Sequence, residues 1–186
     1  MTTYDLSKLL KEELGTGFRD LVTRPSGQAI RERVERDLEA AVDGEVVALD
    51  FTKIGVIDYS CADEIVAKLV SRLLSNEYGD KYLLLSGLND NQRENVEVAL
   101  ERKDLAVMAE MQDGNRSVLG NLNSYLRDTL DFIVKKRKAT SRELSDAKKI
   151  EANTSGTRLL NLYKKRLVKR VEEVRSDGKI WTYEIL

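Results

Sequence analysis

The sequence predicts an α/β protein in two parts. A small sheet-and-helix unit with mostly parallel strands comes first, and three helices closed by a β-hairpin follow. Three observations carry that expectation. Short apolar runs alternate with helical periodicity from residue 18 to residue 108. An Asp-Gly pair at 177–178 lies between two strand-like segments. The charge also divides: residues 1–129 hold 16 basic and 24 acidic side chains, a balance of −8, and residues 130–186 hold 15 and 8, a balance of +7.

Residues 4–14 (YDLSKLLKEEL) read as a short amphipathic helix ended by Gly15 and Gly17. Phe18 to Val22 is apolar enough for a short strand. Pro25 suits a first helical turn, and Ala29, Ile30, Val34, Leu38 and Ala41 follow at helical spacing. Glu45 to Phe51 contains the continuous run Val46-Val47-Ala48-Leu49, as a strand covered on both faces would. Ser60 to Leu74 is a one-faced helix, Tyr82 to Leu85 a strand, Asn91 to Arg102 a helix and Leu105 to Met108 a last strand. Met111 to Arg116 is polar and turn-like. The boundary therefore falls near residue 115, with a first domain over 1–115, a linker helix region over 116–129 and a second domain over 130–186.

In the second domain, Leu130, Ile133 and Val134 close a first helix that ends in Lys135-Lys136-Arg137-Lys138. Thr140 or Ser141 caps a second, with Glu143 or Leu144 in its first turn and Leu144, Ala147 and Ile150 inward. Thr154 or Ser155 opens a third, whose buried side is Leu159, Leu162 and Tyr163. A charged strand from Lys169 to Arg175, a turn at 176–179 and a return strand from Ile180 to Ile185 form the hairpin.

Composition narrows the chemistry. There is no histidine and one cysteine, which excludes a Cys/His zinc site, a Ser/His/Asp triad and an internal disulfide. No carboxylate spacing asks for a metal, and no Gly-rich phosphate motif occurs, so no cofactor is expected. No apolar run is long enough to cross a membrane, and the N-terminus lacks a secretory pattern. The expectation is a cytoplasmic protein that is not an enzyme.

Three helices followed by a two-stranded hairpin form a winged helix-turn-helix pattern. RLLNLYKKRLVKRV followed by SDGKIWTYEI resembles the third helix and wing of bacterial winged-helix repressors of the MarR and related types. Leu159 and Leu162 match the family's core leucines, Leu167-Val168 the pair leading into the wing, and Arg170 the basic residue after it; the family usually has glycine where this chain has Arg166. The resemblance implies that the third helix enters the major groove of double-stranded DNA. Asn153, Ser155, Thr157, Arg158 and Asn161 are then the base-contact candidates, and Lys164, Lys165, Lys169, Arg175 and Lys179 the phosphate-contact candidates. Winged helices also serve as protein-binding modules.

VVALDFTKIGVIDYSCADEIVAKL resembles the central segment of STAS domains, the fold of bacterial anti-anti-sigma factors, and more closely the STAS-like domains of uncharacterised bacterial proteins. Those carry Ala-Asp-Glu, as Ala62-Asp63-Glu64 does here, and an arginine before the preceding helix, as Arg24 does. In anti-anti-sigma factors a partner kinase phosphorylates a serine matched by Ser60; Tyr59 and Cys61 depart from the family's Asp-Ser-Ser-Gly. Ser60 with Asp63 three residues on also suits a helix N-cap. Asp58, Tyr59, Asp63 and Arg24 are interaction-surface candidates. Glu64 is within reach of Arg24 or Lys68, and Cys61 reads as buried and inert. The two resemblances together imply an α/β fold, a small STAS-like sheet-and-helix domain followed by a winged helix-turn-helix domain. They imply a homodimeric transcriptional regulator with a protein-interaction or sensing domain. The alternative is a component of a partner-switching pathway that binds a kinase or anti-sigma-like protein rather than DNA.

Overall fold

A computed structural model describes every residue except Thr16, Phe18, Ser176 and Asp177, and the side chain of Arg175. The chain is a mixed α/β protein with two sheets, divided into compact units Met1–Asn121 and Leu122–Leu186. The segment read as a linker splits between them. Residues 116–120 join the sheet of the first unit, and the helix that starts at Ser124 belongs to the second. Among the described residues, no helix is long and apolar enough to cross a membrane.

The first unit holds strands β1 (Thr2–Asp5), β2 (Val46–Asp50), β3 (Tyr82–Ser86), β4 (Ala106–Glu110) and β5 (Arg116–Gly120) in that spatial order. The first four are parallel and β5 is antiparallel to β4. Its helices are α1 (Leu6–Leu14), α2 (Arg24–Ala40), α3 (Tyr59–Ala62), a π-helical turn (Asp63–Ala67), α4 (Lys68–Leu74) and α5 (Asp90–Glu101). Sequential parallel neighbours joined by crossovers of one hand carry their helices to one face. Val47, Leu49, Leu83, Leu85, Val107, Ala109 and Leu119 accordingly share a core with Leu6, Ile30, Val34, Ile65, Leu69, Val96 and Leu100 of the helices. Each large aliphatic side chain taken from water there contributes about 1.5–3 kcal/mol. The alternating residues Val46, Ala48, Leu84 and Met108 are buried too, which explains the unbroken apolar runs.

Two short strands of this unit were not evident in the sequence. Residues 4–5 belong to β1, and the helix read over 4–14 begins at Leu6, where the Asp5 carboxylate accepts from the N–H groups of Ser7 and Lys8. β5 follows the turn at 111–115 and has only Val118 and Leu119 as apolar content. The strand expected over 18–22 is reduced to a single parallel bridge between Leu21 and Ile57, and Phe18 lies outside the described residues.

The second unit runs α6 (Ser124–Lys136), β6 (Lys138–Thr140), α7 (Ser141–Lys148), α8 (Ala152–Lys164), β7 (Val168–Arg175) and β8 (Gly178–Ile185). Its sheet is antiparallel in the order β6-β8-β7. Leu122, Leu126, Leu130, Ile133, Ala139, Leu144, Leu159, Leu162, Leu167, Val168 and Tyr183 are buried apolar side chains of this unit. Thr140 caps α7 in a capping box with Glu143, one of the two expected options. α8 begins at Ala152, earlier than Thr154 or Ser155, and its flanking residue Glu151 makes no side-chain cap. Ala147 is exposed rather than inward. Of the turn expected over 176–179, Gly178 and Lys179 belong to β8, and Ser176 and Asp177 lie outside the described residues.

Candidate functional site

In the first unit the junction between β2 and α3 is organised by Asp58. Its backbone is extended and it is the N-cap of α3. Oδ1 accepts from the Cys61 N–H at 2.8 Å and from the Ser60 hydroxyl at 2.8 Å, and Oδ2 accepts from the Thr23 N–H at 3.2 Å. Burial works to raise the Asp58 pKa, but these three donors outweigh it and keep the carboxyl below its ordinary range. Ser60 is therefore not the cap. The helix starts earlier than the apolar periodicity suggests, and an ionised carboxylate is the stronger acceptor for the third N–H of the turn.

α2 packs closely on this junction. A Cβ on Gly27 would lie 2.9 Å from Glu64 Cβ and 3.0 Å from Cys61 Cα, so only glycine fits. Thr23 ends the preceding loop at φ 88°, which costs a β-branched residue on the order of 1–3 kcal/mol. Its backbone is held at both ends: Asp58 accepts from its N–H, and the Cys61 thiol donates to its carbonyl at 2.9 Å. Cys61 is fully buried, and burial with Asp58 nearby pushes its thiol up to about 12. It stays protonated at neutral pH and is no nucleophile.

Beyond Cys61 the helix widens into the π-turn, where the Lys68 N–H donates to the Asp63 carbonyl five residues back. Asp63 and Glu64 face inward there. Glu64 is 2% exposed at its side chain and accepts from Arg24 Nη1 at 2.6 Å, Arg31 Nε at 3.3 Å and Lys68 Nζ. Asp63 Oδ2 accepts from Arg24 Nη1 at 3.2 Å, and its Oδ1 makes an ion contact with Lys103 Nζ at 2.5 Å. Glu35 extends the network, accepting from Arg31 Nη1 at 2.7 and 2.8 Å, Arg72 Nη1 at 2.5 Å and the Tyr78 hydroxyl at 2.8 Å. Burial opposes ionisation of Asp63 and Glu64, yet Lys103 and Arg24 for the first, and Lys68, Arg24 and Arg31 for the second, keep both carboxyls below the usual range. Each of the three carboxylates lies against at least two cationic side chains. The cluster ties α2 to the π-turn and α4.

Both anticipated Glu64 partners, Arg24 and Lys68, are present. Asp63 was a candidate for the interaction surface and is not one: its side chain is 8% exposed and turned into the ion pairs. Arg24 is half exposed, Asp58 is bound to its donors, and the half-buried Tyr59 ring lies 4.5 Å from the Arg102 guanidinium. Arg31 and Glu35 were missed. Their sequence signal is an i,i+4 charge pair beside the apolar stripe of Ile30, Val34 and Leu38. Lys103 follows α5 and left no signal.

In the second unit, Asn153, Thr157, Asn161 and Lys164 share one strip of α8, opposite the buried strip of Ser155, Leu159 and Leu162. Ser155 was a base-contact candidate. It is fully buried instead, and its hydroxyl donates to the Ser141 carbonyl at 2.6 Å, tying α8 to α7. Thr157 is exposed and donates to the Asn153 carbonyl at 2.8 Å. Arg158 lies on the flank, its guanidinium 5.4 Å from the Tyr125 ring centre. Tyr125, Asn153, Thr154, Thr157, Arg158 and Asn161 line a shallow depression of about 410 Å³.

Of the phosphate-contact candidates, Lys164 is exposed, and Lys165 and Lys169 are partly so. Lys169 stands opposite Glu184, and Lys179 is paired with Glu172 at 3.1 Å. The Arg175 side chain lies outside the described residues. Arg166 does adopt a left-handed backbone, at φ 58°, where the resembling family has glycine. No protein-family model matches the chain, and no curated protein matches it.

Proposed function

We propose that the second unit is a winged helix-turn-helix that binds double-stranded DNA, and that the first is a STAS-like module for a protein partner. On this reading the chain is a homodimeric transcriptional regulator. The observation that carries it is the polar strip of α8, exposed at Asn153, Thr157 and Lys164 and half-buried at Asn161, beside a hairpin and in a unit with a charge balance of +7. Asparagine side chains pair with adenine edges, lysines neutralise phosphates, and a helix of that width fits the major groove. A two-fold dimer would place two α8 helices about one DNA turn apart.

The test is fluorescence anisotropy of the full chain with a pool of labelled duplexes at about 50 and 200 mM salt. Binding that weakens steeply with salt is expected, because phosphate contacts release counterions. Asn161→Ala should then lose sequence preference, and Lys164→Ala should weaken all duplexes alike. No duplex binding at the lower salt, from the pool or from a selected library, would sink the reading.

A second reading draws on the Ser60–Asp58 contact. A phosphate on Ser60 would put a dianion where its hydroxyl now donates to Asp58 at 2.8 Å, and repulsion would disturb the cap and the Thr23 backbone it holds. In a partner-switching pathway, that disturbance would release or recruit a protein at the Arg24 edge. Phosphorylation that leaves partner capture by the first unit unchanged would remove this reading.

A further inference from the structure

The second unit has a larger cleft, away from the polar strip of α8. It has a volume of about 760 Å³ and lies among the start of α7, one flank of α8 and the hairpin. Sites for small organic ligands fall in this size range. Leu160, Ile180 and Trp181 provide an apolar and aromatic wall, and Arg142, Asp146 and Arg170 provide the charge.

The charges are unevenly committed. Glu143 is held by Lys136 at 2.9 Å and by its capping bonds to Thr140, and Lys179 is held by Glu172. Arg142 is exposed and has no ion-pair partner among the described residues. Arg170 lies across the Trp181 ring, 3.8 Å from its centre, with the rings of Tyr163 and Tyr183 at 5.9 and 6.0 Å. Its Nε is buried without a hydrogen-bond partner. A buried, unspent guanidinium donor is costly unless an acceptor is supplied. Trp181 itself remains 44% exposed.

We propose that this cleft binds one nucleotide unit: a phosphate held by Arg170 and Arg142, carried on a nucleobase that packs against Leu160, Ile180 and Trp181, with Asp146 available to accept from the base or sugar. Two arginines answer the phosphate charge, and an aromatic platform suits any base face. A fatty anion would leave Asp146 facing an apolar group, and a bare phosphate would leave the aromatic wall unused. The nucleotide comes either free or as an unpaired residue of a strand. The inference does not rest on duplex binding by α8.

Trp181 is the only tryptophan of the chain, so its fluorescence reports on this cleft. The full chain is titrated with adenosine 5′-monophosphate, uridine 5′-monophosphate, inorganic phosphate, a single-stranded oligothymidylate and a duplex. Saturable quenching by a monophosphate or by the oligonucleotide is expected, with phosphate alone at least tenfold weaker. Arg142→Gln, at an exposed and unpaired position, should weaken binding about tenfold or more with the fold intact. Tighter response to monophosphate assigns a free nucleotide, and tighter response to the oligonucleotide assigns a strand. Quenching by duplex alone, no saturable response to any probe, or an unchanged response in Arg142→Gln overturns the proposal. Quenching by monophosphate with no duplex binding leaves it standing while the DNA reading falls.

Discussion

Asp58 holds three donors at once, and Ser60 is only one of them. Asp58→Ala removes a helix cap and strands the Thr23 N–H, so it should cost about 2 kcal/mol in urea unfolding. Ser60→Ala removes a donor from an acceptor that keeps two others, and should cost under about 1 kcal/mol. The reverse order would return the cap to Ser60. The sequence shows a polar knot here, but both residues are good caps and spacing alone does not choose between them. The Glu64 contacts were legible because Lys68 is one helical turn away and Arg24 accompanies Ala-Asp-Glu in the resembling proteins. Ser155 was not legible, because a serine at the start of a helix reads as exposed until the second helix that it anchors is in place.

At the scale of elements, helix ends carry the clearest consequence. α7 ends on Lys149 in a left-handed conformation at φ 54°, with its N–H donating to the Ser145 carbonyl. That geometry favours glycine, since a Cβ there meets the backbone. Lys149→Gly should stabilise the second unit by about 0.5–1 kcal/mol in thermal unfolding, and Lys149→Ala should leave it unchanged. The long helices were readable because each spans enough residues to display its period, and the central strands β2, β3 and β4 because burial on both faces gives each an unbroken apolar run. β1, β5 and β6 were not. They are edge strands of three to five residues, defined by neighbours distant in sequence rather than by their own pattern.

For the whole molecule, the two units should respond differently to acid. Asp58, Asp63 and Glu64 of the first unit all have carboxyl pKa values lowered by folding, while in the second Glu143 is held low by Lys136. A lowered folded pKa contributes stability that is complete above the unfolded value, near pH 4, and that is lost as pH falls through the folded value. The first unit should therefore melt first as pH drops below about 4. Far-ultraviolet circular dichroism sees both units, whereas Trp181 fluorescence sees the second. The dichroism should fall before the fluorescence shifts, and Glu64→Gln should flatten its pH dependence. Coincident transitions would count against it. The charge division behind this contrast was visible in the sequence; the inward turn of Asp63 and Glu64 was not, because a regular helix would not place both there.

The π-turn at 63–67 fits one more residue into its loop of backbone than an α-helical turn does. Deleting any one residue there would let the helix run at regular pitch. Because the wide turn absorbs that residue locally, α3 and α4 would keep their faces, and only the residues within the turn would change direction. Asp63 and Glu64 stand in the turn and would be re-aimed relative to Arg24 and Lys103, while Cys61 would stay under Gly27. In evolutionary terms the charged centre is an insertion: a single codon gained or lost makes or erases it. Lineages related to this chain should fall into two groups, one with the widened helix and its full set of cations and one with neither.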